Sequence, residues 1–313
     1  MTFLVLLCIL GGFVAKALVT GATGFIGRRL LPWLKWPVVL TRNPERAGTA
    51  LRNVEIHRWE PESGPPPAEA FREVDTVFHL AGESVAAGRW SAARKQRIRD
   101  SRVLGTRHLV AALAALKERP AVLVSASAIG YYGDRGDETL DEEALPGDDF
   151  LAGVCQEWEA EANRATELGI RVVTPRLGIV LGKGGGALER MLTPFKLGLG
   201  GRLGSGRQWM SWIHIDDLIG LLLYAGPRHI SGPMNAVAPN PVTNREFTTE
   251  LARALRRPAI FPVPEFALKL AFGEMAGVLL SSQRVVPAVA QRTGYRFQYA
   301  EISAALGDVL SGQ

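Results

Sequence analysis

The chain has 313 residues, with 36 Lys and Arg against 31 Asp and Glu, and its net charge of +5 is mild and spread without a basic block, which argues against a nucleic acid partner. At 47% apolar and 21% charged residues it reads as one large soluble globular domain, or a domain with an appendage. Its two cysteines, Cys8 and Cys155, exclude a disulfide framework and fit the cytoplasm, and its five dispersed histidines offer no metal-ligand spacing.

Residues 1–15 form an apolar extension of unknown role. The run Phe3 to Val14 is too short to span a bilayer and lacks the cationic start of a secretory signal, so no membrane partner is expected. Lys16 to Thr20 then reads as a short apolar strand entering a Gly-rich turn, and Phe25 to Leu34 as a helix. Strands follow at Pro37 to Thr41, Val54 to Trp59 and Val74 to Ala81, the last of the kind buried on both faces. A long helix fits Ser91 to Leu116, a strand Ala121 to Ser125, a helix Phe150 to Leu168 and a strand Arg171 to Leu177. This alternation predicts an α/β fold: a doubly wound parallel sheet of Rossmann type. After Gly178 the chain turns to Gly-rich loops and a proline-punctuated stretch before an apolar helix at Phe266 to Leu280. The expected organisation is a dinucleotide-binding domain over 16–177, with 209–240 returning to it. A smaller C-terminal α/β substrate lobe would comprise 178–208 and 241–313.

The strongest motif is Thr20-Gly21-Ala22-Thr23-Gly24-Phe25-Ile26-Gly27, set between a strand and a helix. Gly21 permits the tight turn, Gly24 lets backbone approach a pyrophosphate, and Gly27 lets helix and strand pack closely. This segment is similar to the signature of extended short-chain dehydrogenases/reductases, the class of sugar-nucleotide epimerases and dehydratases. The resemblance continues through His79-Leu80-Ala81-Gly82, Gly105-Thr106, Ser125 to Gly133 and Trp212 to Asp217. Finer features resemble the YfcH-like epimerase family proteins: Gly82-Glu83, Gly130 to Gly133, Pro175 to Gly178 and Asn240 to Asn244. The resemblance implies cofactor contacts from Thr23, Phe25 and Ile26, from Leu80, Ala81, Gly82 and Glu83, and from Ser125.

The second strand ends Leu40-Thr41-Arg42-Asn43, with no acid to accept from an adenosine 2′-hydroxyl. Arg42 offers a charge-assisted fork for a 2′-phosphate and Thr41 a hydroxyl, so NADP(H) is the expected cofactor. Arg102 stands where the relatives carry an asparagine near the active site; it either faces cofactor phosphates or an acidic substrate group, or is a solvated helix residue. Arg176, after the sixth strand, either clamps an anionic group of the ligand or pairs with a nearby acid.

The usual chemistry of the class uses a Tyr and a Lys four apart on a helix, which lie on one face. Matching Glu159 to the acid that commonly follows the pair puts Leu151 and Cys155 at those positions, and the helix has no Tyr or Lys at all. The remaining candidates are Ser127, to polarise a substrate oxygen, and Tyr131, as proton donor. The expected activity is that of an NADP(H)-binding oxidoreductase or epimerase-like protein, acting as monomer or homodimer on a small anionic carbonyl or sugar-type molecule. The alternative is a non-catalytic NADP(H)-binding sensor.

Overall fold

The computed structural model describes residues 16–226 and 230–311, so the extension expected at 1–15 lies outside the described residues. The chain runs through β1 (Lys16–Thr20), α1 (Phe25–Leu30), β2 (Val38–Thr41), α2 (Pro44–Ala50), β3 (Glu55–Arg58) and β4 (Val74–His79). It continues with α3 (Ala92–Ala115), β5 (Val122–Ser125), β6 (Ser127–Ala128), β7 (Thr139–Leu140), α4 (Phe150–Asn163) and β8 (Arg171–Leu177). Next come β9 (Ile179–Leu181), α5 (Gly186–Lys196), β10 (Trp209–Met210), β11 (Trp212–His214), α6 (Ile215–Ala225) and β12 (Gly232–Ala236). Last are β13 (Val242–Thr243), α7 (Asn244–Leu255), α8 (Glu265–Phe272), α9 (Ala276–Leu280), β14 (Arg284–Val285), α10 (Ala288–Arg292) and α11 (Ile302–Leu310).

One sheet carries the order β12-β8-β5-β4-β1-β2-β3, with β6 beside β8, and its pairings are parallel. Successive side chains of a strand point to opposite faces, and here both faces are covered. Val19, Phe78 and Val124 pack on one side against Leu218, Ile219 and Leu222 of α6. Leu18, Val77 and Leu123 pack on the other against Leu109 and Leu113 of α3. The sheet is therefore the doubly wound, Rossmann-type layer that the strand–helix alternation predicts.

A separate apolar cluster lies among the later elements. Leu188, Leu192, Trp212, Leu251 and Leu306 join α5, β11, α7 and α11. Two expected helices end early for local reasons. The run after Phe25 passes into a 3-10 turn at Leu31–Trp33, where Pro32 cannot donate to the helical ladder. The helix expected over Phe266 to Leu280 is broken at Gly273, whose φ of 60° ends α8 before α9 begins. At the carboxyl edge of the sheet, Thr20, Thr41, His79 and Ser125 end adjacent strands, where an open α/β sheet has its ligand crevice.

Candidate active site

The turn after β1 is built as its glycines require. Gly21 has φ 69°, and a Cβ there would lie 2.7 Å from the Leu80 carbonyl oxygen. A Cβ on Gly27 would sit 2.4 Å from the Gly21 oxygen, so this glycine lets α1 close on the turn. Gly24 differs: the one neighbour its Cβ would approach is that same oxygen, at 3.1 Å. The space beyond Gly24 is thus left clear by the protein, as an approaching pyrophosphate requires.

The turn is tied to the next wall of the crevice through buried Thr20. Its Oγ1 accepts the backbone N–H groups of Leu80 and Ala81, both at 3.1 Å. Its own proton then goes to His79 Nδ1 at 2.8 Å, which leaves His79 Nε2–H to donate to Thr106 Oγ1 at 3.1 Å. Burial pushes the His79 imidazole down from 6.5 to about 4. The unfolded chain therefore binds more protons than the folded one between these two values. The contribution of the neutral ring is present in full above pH 6.5 and is lost as the pH falls toward 4, on the order of 3 kcal/mol in all. Urea melts of the wild type and of His79→Gln at about pH 7 and about pH 5 test this. The wild type should lose more stability on acidification than the variant; equal losses would show that His79 does not titrate on unfolding.

The crevice encloses about 240 Å³. Of the residues expected from the sequence, Gly21, Thr23, Gly24, Thr41 and Arg42 line it, together with Leu80, Ala81, Gly82 and Glu83. Arg42 is exposed at the end of β2, and Thr41 Oγ1 accepts the Asn43 N–H at 3.3 Å. The sequence reasoning missed Trp59, Glu60, Pro61 and Glu62, which close the crevice beside Arg42, and Ser101. A signal existed: β3 lies next to β2 in a parallel sheet, so the loop following β3 must emerge at the same edge.

Other expected residues have their side chains engaged away from the crevice. The Phe25 side chain lies under the loop at 182–186, where a Cβ on Gly185 would come within 2.5 Å of its ring, and Ile26 packs against the sheet core. Both side chains support the turn from behind, while 25–27 form the first turn of α1, whose backbone N–H groups have no partner within the helix. Arg102 is held below the crevice floor. Its Nη1 donates to the Glu83 and Ile98 carbonyls at 3.0 and 3.1 Å, and its guanidinium lies 5.1 Å from the Trp158 ring. It clamps the Gly82–Glu83 loop to α3 and is half-buried against that loop, so it is not a freely solvated helix residue. The Glu83 carboxylate is paired with Arg94 at 2.6 Å, which neutralises an anion facing a phosphate site. Ser125, at the strand edge, is buried and outside the crevice lining, and among the described residues its Oγ has no hydrogen-bond partner.

Strand register assembles a buried polar group deeper in the edge. Ser127 of β6 pairs with Arg176 of β8, and Arg176 with Asn235 of β12. Arg176 forks onto Glu159 of α4, with Nε 2.8 Å from Oε1 and Nη2 2.9 Å from Oε2. Ser127 gives its proton to the same Oε1 at 2.6 Å. Tyr132 Oη accepts from Arg176 Nη1 at 3.0 Å and lies 2.7 Å from Asn235 Oδ1 and 2.9 Å from the Asp141 carbonyl. Two expectations fall here. Arg176 is buried and spent on Glu159, so it is no cofactor contact. Ser127 is buried with its one proton committed, so it does not polarise a substrate oxygen in this arrangement.

Tyr131 is the hydroxyl that remains. Its ring lies over the Arg176 guanidinium, 3.4 Å from centroid to Cζ, and edge-on to Tyr132. It is half-buried, and among the described residues its Oη makes no hydrogen bond. Burial pushes the Tyr132 phenol up to about 12, so that group is a structural one. Leu151 lies against Gly130, whose Cβ would meet its Cβ at 3.4 Å. Cys155 is buried and burial pushes its thiol up to about 12, so it is a packing residue at neutral pH.

The profile of the NAD dependent epimerase/dehydratase family matches residues 17–236, and that of a domain of unknown function, DUF1731, matches residues 263–309. The epimerase family protein Mb2239 of Mycobacterium bovis is 42% identical over 295 residues, covering 94% of this chain and 97% of that protein. YfhF, an epimerase family protein of Bacillus subtilis, is 39% identical over 298 residues, 93% of this chain and 97% of its own. Among solved structures, the human epimerase family protein SDR39U1 with NADPH superposes with a TM-score of 0.83 at 33% identity, covering 95% of this chain and 100% of that one.

Proposed function

We propose, from the premise that this chain belongs to the NAD dependent epimerase/dehydratase family, that it binds NADP(H) in the β1–β2–β4 crevice and exchanges hydride with a carbonyl or sugar-type substrate. In this reading residues 16–177 with 209–240 hold the cofactor, and 178–208 with 241–313 face the substrate. The observation that carries the cofactor is the crevice itself, with Gly24 clear of protein at one end and, at the end of β2, an exposed Arg42 that no acid among the described residues pairs with. A human relative crystallised with NADPH supports the same choice. When bound, the nicotinamide supplies the hydride. Arg42 would hold the 2′-phosphate, the turn at 21–24 the pyrophosphate, and Ser125 a polar atom nearer the sheet edge. By fluorescence titration NADPH should bind about tenfold or more tightly than NADH, and Arg42→Ala should erase the difference by weakening NADPH alone. Equal affinities in the wild type would sink the assignment.

For the proton, the reading rests on Tyr131, since Ser127, Tyr132 and Cys155 are committed or held protonated. Arg102 and Arg176 are the two cations that an anionic substrate would call on. Both are engaged within the protein, so the substrate's charge forms no part of the proposal. Tyr131→Phe should lower NADPH-dependent reduction of a carbonyl panel by roughly a hundredfold with NADPH affinity unchanged. Turnover undiminished in that variant would remove Tyr131 from the chemistry. A non-catalytic sensor is the second reading, favoured by Leu151 and Cys155 at the usual Tyr and Lys places; it gains if NADPH binds and no substrate consumes it. Cytoplasmic residence belongs to this reading as well, and no helix among the described residues is long and apolar enough to cross a membrane.

A further inference from the structure

Two segments far apart in the chain run side by side on the later elements. Phe261 N–H donates to the Gly200 carbonyl at 3.4 Å, Val263 N–H to Arg202 at 2.9 Å, and Gly204 N–H to Val263 at 2.8 Å. The ribbon so formed exposes Leu197 at 69%, Leu199 at 58%, Ile260 at 70% and Phe261 at 52%. Directly after it, α8 buries Leu268 alone among its residues. Phe266 and Leu270, four apart and so on one face, are 72% and 75% exposed. Six large apolar side chains left out on adjoining segments are more than the scattered singletons of an ordinary surface.

The charges beside them that lack an opposite partner have one sign. Lys196 precedes Leu197, and Arg256 and Arg257 precede Ile260; all three are exposed and take part in no ion pair among the described residues. Of the acids nearby in sequence, Glu250 is paired with Arg253 and Glu265 with Lys269, at 2.8 and 2.6 Å. A two-fold contact through this face would set these cations against their own copies with no unpaired carboxylate among the residues named to answer them. A partner that is negative at its surface and apolar beneath fits both features. We propose that this face docks onto an anionic lipid bilayer, with Lys196, Arg256 and Arg257 at the headgroups and the ribbon and α8 side chains inserted at the acyl boundary. This departs from the expectation that the protein has no membrane partner. That expectation considered continuous runs of chain, and a patch made by pairing residues 196–204 with 256–263 leaves no such run. The proposal is independent of the catalytic reading.

The test is co-sedimentation of the full chain with vesicles of phosphatidylcholine, with or without about a third phosphatidylglycerol, at low and physiological salt. Binding should favour the anionic vesicles by about tenfold or more and weaken with salt. Leu199→Ser with Phe261→Ser, and separately Arg256→Ala with Arg257→Ala, should each reduce it by about tenfold or more. NADPH affinity and thermal melting should stay unchanged, which shows that the variants fold. No sedimentation with either vesicle would overturn the proposal, as would equal binding to both. So would a concentration-dependent dimer in sedimentation equilibrium that Leu199→Ser with Phe261→Ser dissolves, since the face would then serve a second copy.

Discussion

Replacing Gly24 by valine is expected to abolish NADPH binding, by a hundredfold or more, in a protein that still folds. Gly21 and Gly27 cannot serve this purpose, because a Cβ at either meets backbone within 2.7 Å and the turn itself would have to move. At Gly24 the backbone is extended, with φ −76° and ψ 176°, which a β-branched residue adopts readily. The new Cβ approaches the Gly21 oxygen at 3.1 Å, a contact relieved by a few tenths of an ångström, and the methyl groups project into the crevice. The variant should therefore melt close to the wild type while the space for a pyrophosphate is filled. Titration by intrinsic fluorescence beside a thermal melt separates the two effects. A folded Gly24→Val protein that still binds NADPH would place the phosphates elsewhere.

The second large effect is on stability. Glu159→Gln should cost about 3–5 kcal/mol and lower the melting temperature by roughly 10 °C. Glutamine keeps the shape but carries no charge to answer the buried Arg176 guanidinium, and its amide nitrogen cannot accept the second fork of that guanidinium. With its oxygen at the Oε1 place it still accepts from Ser127 and Arg176 Nε, so the donor left over is Arg176 Nη2, which now faces an amide N–H. Removing one partner of a buried pair is far more damaging than the pair is stabilising, because the other charge stays desolvated. Calorimetry on the two proteins measures this. A loss of less than about 1 kcal/mol would mean that water reaches Arg176 and that the network is looser than its distances indicate.

The parts of the molecule that were legible in the sequence are those whose residues are consecutive. The strand, the glycine turn and the helix from Lys16 to Leu30 form a local unit, and so does Arg42 at the end of β2. Their geometry follows from spacing alone. The parts that were not legible are made by register. Ser127, Arg176 and Asn235 become neighbours because β6, β8 and β12 lie side by side, and Glu159 reaches them from a helix whose own pattern shows only an amphipathic face. Reading Arg176 by its place after a strand gave its position at the sheet edge and missed its partner. The break in the helix after Phe272 was hidden for another reason: glycine is tolerated within helices, and only the positive φ at Gly273 distinguishes a stop from a passage.

The buried network also explains why the missing Tyr–Lys pair could not be put back by two substitutions. Position 155 lies between Ser127, Arg102 and Glu159, inside the same desolvated group. A lysine introduced there would be a second cation beside the Arg102 guanidinium, and the carboxylate within reach, Glu159, is already forked onto Arg176. It would have to shed its proton or force the helix aside. Leu151, for its part, fills the space against Gly130 that a phenol would need to leave on its way to the crevice. Arg176 and a cation placed at 155 would thus compete for the single carboxylate of Glu159. A chain that has adopted the first has closed the route by which its more familiar relatives move a proton.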